Sequence, residues 1–214
     1  MNAVGYTVHT MNGANKEESL TLELLQAIDQ RSDVTQRNLA DRLDVALGLA
    51  NSYLKRCVRK GLIKVKQVPP NRYLYYLTPK GFTEKSRLTT EYLRHSFNFY
   101  RKASESMSWI MRGCQAEGRT RLCLAGVSEL AEIALIRARE FPVTVTAIFD
   151  PDCPADTYLG LQVLRDAGQL AAFDACILTS IAQPAAMLER LGGALESSRL
   201  LIPDLLGLKQ DGKK

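Results

Sequence analysis

Between residues 17 and 77 the hydrophobic period of the chain switches from about 3.6 residues to 2, and the order of that switch leaves few folds open. Leu20, Leu24, Leu25 and Ile28 recur at three- and four-residue intervals, which predicts an amphipathic helix over 17–30. After the polar break Arg31-Ser32-Asp33, Thr35 is placed to cap a second helix over 36–43 that buries Leu39, Ala40 and Leu43. A third helix is expected over 46–60, with Gly61 just past its end, where helices favour a residue that tolerates the left-handed conformation. Leu62-Ile63-Lys64-Val65-Lys66 then alternates apolar and basic. Beyond a turn at Pro69-Pro70-Asn71, the run Tyr73-Leu74-Tyr75-Tyr76-Leu77 reads as the returning strand.

Three short helices followed by a hairpin predict a winged helix-turn-helix. In that fold the third helix enters the major groove of DNA and the hairpin, or wing, reaches the flanking backbone. Leu47, Ala50, Leu54 and Val58 are expected to face the core, leaving Asn51, Ser52, Lys55 and Arg56 on the polar side of the third helix. Asn and Arg are the residues whose side chains bond adenine and guanine edges in pairs. In the wing, Lys64, Lys66 and Arg72 suit phosphate contacts, as do Gln36 and Arg37 at the start of the second helix. Charge follows the same division. Residues 1–117 hold 18 Lys+Arg against 11 Asp+Glu, and residues 118–214 hold 10 against 12, so the basic excess lies wholly in the first half.

The segments TQRNLADRL (35–43), LGLANSYLK (47–55) and YYLTPKGFTEK (75–85) resemble the MarR-type regulators associated with exopolysaccharide (EPS) genes. The resemblance runs over about residues 17–105, and its most specific parts are LGxxN on the third helix and YxLTPKGxxEK at the exit from the wing. It implies a DNA-binding regulator of transcription, acting on exopolysaccharide genes. The chain departs from that pattern at Ala46, where a serine cap is usual; Asp44 is the nearest substitute.

From residue 80 to 117 there is no proline and little glycine, and Phe82, Tyr92, Phe97, Tyr100, Ala103, Met107, Ile110 and Met111 share a broad face. This predicts one long helix, longer than the first domain needs, serving as a dimer-forming connection. The character of the chain then changes. Apolar runs at 121–125, 143–149, 161–164, 174–179 and 199–202 alternate with helical segments at 129–140 and 184–195, the pattern of a parallel sheet. Gly126-Val127-Ser128-Glu129-Leu130-Ala131 leaves the first of these strands and opens a helix with the spacing of GxGxxG/A, serine standing at the second glycine position. Asp150 follows at the end of the second strand, where such folds place the acid that binds a ribose.

AIFDPD (147–152), YLGLQV (158–163) and DACILTS (174–180) resemble the small Rossmann-like domains of nucleotide-sugar enzymes. That resemblance covers about residues 120–192. It implies a pocket at the carboxyl ends of the strands, near Gly126, Ser128, Asp150 and Ser180. The expected architecture is therefore a flexible tail (1–15), a winged helix (16–81), a long linking helix (82–117), a Rossmann-like α/β domain with a small parallel sheet (118–206) and a C-terminal tail (207–214).

Catalysis is not expected. The histidines are His9 and His95, both outside the α/β half, which has no lysine before Lys209. Glu129, Cys123 and Asp150 form no recognisable acid–base–nucleophile set. Five cysteines without a CxxC pair fit reduced thiols and no zinc site, and the absence of a leader or an apolar span predicts a cytoplasmic protein that does not enter membranes.

Three functional classes stay open. One is a homodimeric regulator binding double-stranded DNA, with the second domain sensing a small-molecule effector: NAD(H), a nucleotide or a nucleotide-sugar. Another is a redox repressor, reading NADH against NAD as Rex-type repressors do or oxidising at Cys123 or Cys153. The third is a cofactor-dependent enzyme fused to a DNA-binding module.

Overall fold

The computed structural model of the chain describes residues 13–69 and 72–208, with side chains from Lys16 onward. The expected tails lie largely outside the described residues, as do Pro70 and Asn71 of the wing turn. The chain divides into two compact units, residues 1–96 and 97–214.

The first unit holds helices α1 (Gly13–Gln30), α2 (Gln36–Arg42) and α3 (Leu47–Arg59), then strands β1 (Ile63–Val68) and β2 (Arg72–Leu77), and the start of α4 (Pro79–Ala116). Its core is built from α1 (Leu24, Leu25, Ala27, Ile28), α2 (Leu39, Ala40), α3 (Ala50, Leu54, Cys57), the hairpin (Ile63, Tyr75) and Leu88 of α4. Thr35 caps α2 as expected, its Oγ1 accepting the Asn38 N–H at 3.1 Å.

The start of α3 is different. Ala46 provides no side-chain cap, and Asp44 does not replace it, because its backbone turns left-handed with φ 48°. The first N–H groups of α3 are therefore without a side-chain acceptor, and Ala46→Ser is expected to stabilise the unit by about 1 kcal/mol. Thermal unfolding of the two proteins measures it.

The end of α3 is closed twice over. Gly61 adopts φ 72°. Its N–H donates to the Val58 carbonyl and the Leu62 N–H to the Cys57 carbonyl, each at 2.9 Å, the paired arrangement that ends helices at a left-handed glycine. Thr78 then returns to the same spot. Its N–H donates to the Leu62 carbonyl (3.0 Å), its Oγ1 donates to the Gly61 carbonyl (2.6 Å), and that oxygen accepts the Gly81 N–H at 3.0 Å. Lys80 adds a bond from Nζ to the Lys60 carbonyl. The sequence TPKG thus fastens the first turn of α4 to the last turn of α3, with proline at a helix-opening position where its missing N–H costs nothing.

Strand register explains the wing. Ile63 pairs with Leu77 and Val65 with Tyr75 on one face, while Lys64 pairs with Tyr76, Lys66 with Leu74 and Val68 with Arg72 on the other. Ile63 and Tyr75 are buried, so the opposite face carries Lys64, Lys66 and Arg72 together.

The second unit comprises the rest of α4 and a six-stranded sheet: β3 (Arg121–Ala125), β4 (Thr144–Phe149), β5 (Thr157–Tyr158), β6 (Leu161–Leu164), β7 (Ala175–Leu178) and β8 (Leu200–Leu201). The strand order is β5-β6-β4-β3-β7-β8, parallel throughout except for the edge pair β5–β6. Setting aside β5, the five parallel strands run in the order 3-2-1-4-5, that of the doubly wound Rossmann sheet without its sixth strand. The expected α/β, Rossmann-like domain is therefore present, with an antiparallel edge strand added.

Alternation on β3 sorts two apolar layers. Leu122 and Leu124 face Ala103, Met107, Ile110, Met111 and Cys114 of α4 and the buried side of α5 (Glu129–Ala138). Cys123 and Ala125 face Leu170, Phe173, and Met187 and Leu191 of α6 (Pro184–Leu191). Helix α6 stops at Leu191, earlier than the expected 195, at the pair Gly192-Gly193. Gly118, with φ 69°, ends α4 as Gly61 ends α3. Among the described residues no helix is long and apolar enough to cross a membrane.

Candidate nucleic-acid interface

Burial fixes which side of α3 is available. Ala50, Leu54 and Cys57 are its buried residues. At about 100° per residue, the face opposite them carries Gly48, Ser52, Lys55 and Arg59, all exposed. Two expected core positions are not in the core. Leu47 is 44% exposed and Val58 37%, because they lie on the flank of the helix and Cys57 takes the inward place instead. Leu49, on the other flank, is 45% exposed.

The polar residues expected to read bases fall into two groups. Ser52 and Lys55 stand on the outward ridge, the Ser52 hydroxyl donating to the Gly48 carbonyl at 2.9 Å. Arg56 turns toward α1 and pairs with Glu17 at 2.5 Å. Asn51 lies on the Leu47 flank, where its Oδ1 is shielded from solvent and has no hydrogen-bond partner among the described residues. Gln36 and Arg37 are exposed in the first turn of α2. The structure adds Arg59 to the ridge. Its signal was available in the sequence, since Gly48, Ser52, Lys55 and Arg59 follow helical spacing, but it becomes readable only once the buried face is known.

The inward thiol of α3 has a measurable consequence. Burial pushes the Cys57 pKa up from 9.0 to about 11. Between those values the unfolded chain ionises this thiol while the folded chain keeps its proton. Folding stability therefore declines as pH rises from about 9 to 11. Unfolding free energy plotted against pH is expected to fall less steeply over that window in Cys57→Ala than in the native chain. All five cysteines are free, and Cys123 has no exposed surface.

At the carboxyl end of the sheet, Gly126, Ser128, Asp150 and Ser180 do come together, and they bond chiefly to the chain itself. Gly126 has φ 104°, and a Cβ there would lie 2.6 Å from the Cα and Cβ of Ser180, so the glycine is needed for β3 and β7 to end side by side. Ser128 caps α5, its Oγ accepting the Leu130 N–H at 3.1 Å while donating to the Thr179 carbonyl at 2.5 Å. The Asp150 carboxylate accepts the Val127 N–H on Oδ2 (2.9 Å) and the Asp152 N–H on Oδ1 (3.1 Å). Among the described residues no three His, Cys, Asp or Glu side chains are grouped to hold a metal.

Residues 18–64 match the family model described as winged helix-turn-helix DNA-binding, a span from α1 to the start of β1. No curated protein matches the chain. Among solved structures, the chain is similar to MepR, a transcription regulator of the Staphylococcus aureus multidrug efflux pump MepA. The identity is 20% over 40% of this chain and 62% of that one, with a TM-score of 0.34. It thus spans less than two thirds of MepR's length. It is also similar to ZitR of Lactococcus lactis, a zinc-responsive MarR family member, at 16% identity over 49% of this chain and 70% of that one, TM-score 0.33. A structure of PigF with SAH aligns over 88% of this chain and 70% of its own, at 14% identity and a TM-score of 0.32.

Proposed function

We propose that the chain is a DNA-binding transcriptional regulator whose winged helix sets α3 in the major groove and the wing against the phosphate backbone. The observation that carries this reading is the placement of charge. Ser52, Lys55 and Arg59 occupy the side of α3 opposite the core, and the hairpin register gathers Lys64, Lys66 and Arg72 on the face opposite buried Ile63 and Tyr75. Binding of the full chain to a pool of random-sequence duplexes, titrated from low to high salt, tests it. A steep decline of affinity with salt is expected, and affinity that is absent at low salt or indifferent to salt overturns the reading. Control of exopolysaccharide genes rests on the N-terminal resemblance. Transcript levels of such genes in a strain lacking the protein decide it.

The regulator works as a homodimer, matching the two-fold symmetry of operators built from half-sites. Helix α4 supports this, because it keeps Phe97, 61% exposed, and Leu93, 46% exposed, in water. Phe97→Asp is expected to convert a dimer into a monomer in sedimentation and to reduce DNA affinity with it. An unchanged mass moves the dimer contact elsewhere.

The α/β unit is the regulatory half. Its Gly126–Ser128 crossover does not fit the pyrophosphate of a dinucleotide: the freedom of Gly126 serves the approach to Ser180, and the Asp150 carboxylate sits on the loop N–H that a phosphate would need. The reading favoured instead is a nucleotide or nucleotide-sugar that meets Asp150 through its ribose hydroxyls and keeps its phosphates off this loop. Thermal stabilisation against nucleotides, nucleotide-sugars and NAD(H) tests it, an effector at 100 times its Kd adding about 2.7 kcal/mol. Asp150→Ala is expected to abolish the shift.

A further inference from the structure

The outward ridge of α3 begins with a glycine that no packing contact among the described residues requires. Gly48 is a helical glycine, and a Cβ built on it meets no atom of the described residues within 4 Å. Packing does not call for it, its φ is not in the left-handed region, and alanine would favour the helix. The missing side chain leaves room for another molecule to approach the backbone of this turn closely.

The neighbours of Gly48 state what that molecule presents. Leu47 and Leu49 flank it on the two sides of the helix, and each keeps nearly half of its surface in water. Meanwhile the two side chains best suited to paired hydrogen bonds with base edges are drawn aside, Arg56 to Glu17 and Asn51 with its carbonyl shielded. What remains at the tip of α3 is apolar and small: Leu47, Gly48, Leu49 and Ser52. Farther along, the same helix becomes basic at Lys55 and Arg59. In the major groove one base carries an apolar marker, the C5-methyl group of thymine.

We propose that the first turn of α3 reads thymine methyl groups, with Leu47 and Leu49 as the contacting side chains and Gly48 admitting the backbone to the floor of the groove. This rests on the DNA-binding reading above and specifies which residues give it sequence preference. Lys55 and Arg59 hold the helix on the phosphates and carry no part of the preference.

The experiment uses the full chain and duplexes enriched from a random-sequence pool. Each thymine of the best duplex is replaced in turn by deoxyuridine, which removes only the methyl group. Loss of about fourfold in affinity is expected at one or more positions, the factor that burying one methyl supplies. In Leu47→Ala or Leu49→Ala the thymine and deoxyuridine duplexes are expected to bind alike; neither side chain belongs to the buried core, so these variants keep the fold. Gly48→Ala is expected to raise the melting temperature and weaken binding of the enriched duplex. If thymine and deoxyuridine duplexes bind the native chain equally while salt dependence persists, the methyl readout is overturned and DNA binding stands. If no duplex is enriched and no salt-dependent binding is seen, the DNA-binding reading falls and this inference falls with it. If Gly48→Ala binds as well as the native chain, the close approach is overturned.

Discussion

Replacing Lys64, Lys66 and Arg72 together by alanine is expected to lower affinity for every duplex by a similar factor. It is also expected to reduce the slope of log affinity against log salt by about 2.7 per protomer. The number follows from counterion release, about 0.9 per phosphate neutralised on B-DNA. At 0.15 M salt the same relation gives a loss of roughly two orders of magnitude per protomer. The three residues are treated as a unit because the hairpin register places them on one face, opposite the buried Ile63 and Tyr75. The ranking of sequences should survive, since phosphate contacts position a protein without selecting bases. Fluorescence anisotropy over a salt series, on the enriched duplex and on a scrambled one, measures both quantities. A loss confined to the enriched duplex, or an unchanged slope, would take these cations off the backbone.

The largest effect on stability is expected from Gly81→Ala. A Cβ at position 81 would stand 2.1 Å from the Leu62 carbonyl oxygen, and the obstacle is main chain rather than a side chain able to turn away. Relief requires the first turn of α4 to leave the end of α3. That movement breaks the bonds Thr78 N–H to Leu62, Thr78 Oγ1 to Gly61 and Lys80 Nζ to the Lys60 carbonyl. At about 1 kcal/mol each the bonds alone are worth about 3 kcal/mol. Urea unfolding should show a midpoint lowered accordingly, or a first unit that does not fold. Gly113→Ala is the matched control. It lies in the same helix with nothing within 4 Å of the added carbon, and is expected to stabilise by up to about 1 kcal/mol. Equal behaviour of the two variants would refute the clash.

These two cases also mark where sequence reasoning succeeded and where it stopped. The elements of the winged helix were legible because each is bounded by local chemistry: the Thr35 cap, the Gly61 stop, the apolar–basic alternation of the wing. Strands β3 and β6 were legible to the residue because a buried parallel strand is a compact apolar run. Strand β5 was not, since two residues have no period to detect. Nor was the true inward face of α3. Leu47 is apolar but sits in the first turn on a flank, while Cys57, small and easily overlooked, fills the core position. The partnership of Arg56 with Glu17 joins α3 to α1 across 39 positions of sequence, and no local pattern announces it. Likewise the GxGxxG-like spacing was visible, but the bond from Val127 to Asp150, which occupies the loop, depends on how two strand ends meet.

The strand order sets a timetable for synthesis. The first unit, residues 1–96, has all its parts once residue 96 has left the ribosome. The sheet is otherwise arranged: β3 is made first among its strands yet lies at the centre, between β4 and β7. It stays without its second neighbour until Leu178 has been added. From residue 97 that takes roughly 80 more residues, about 4–16 s at translation rates near 5–20 residues per second. Throughout that interval Met107, Ile110 and Met111 of α4 lack the finished sheet that covers them. A growing chain stalled there would display the winged-helix unit beside an uncovered apolar face of α4, and chaperones that shield apolar surface would find their substrate in this stretch.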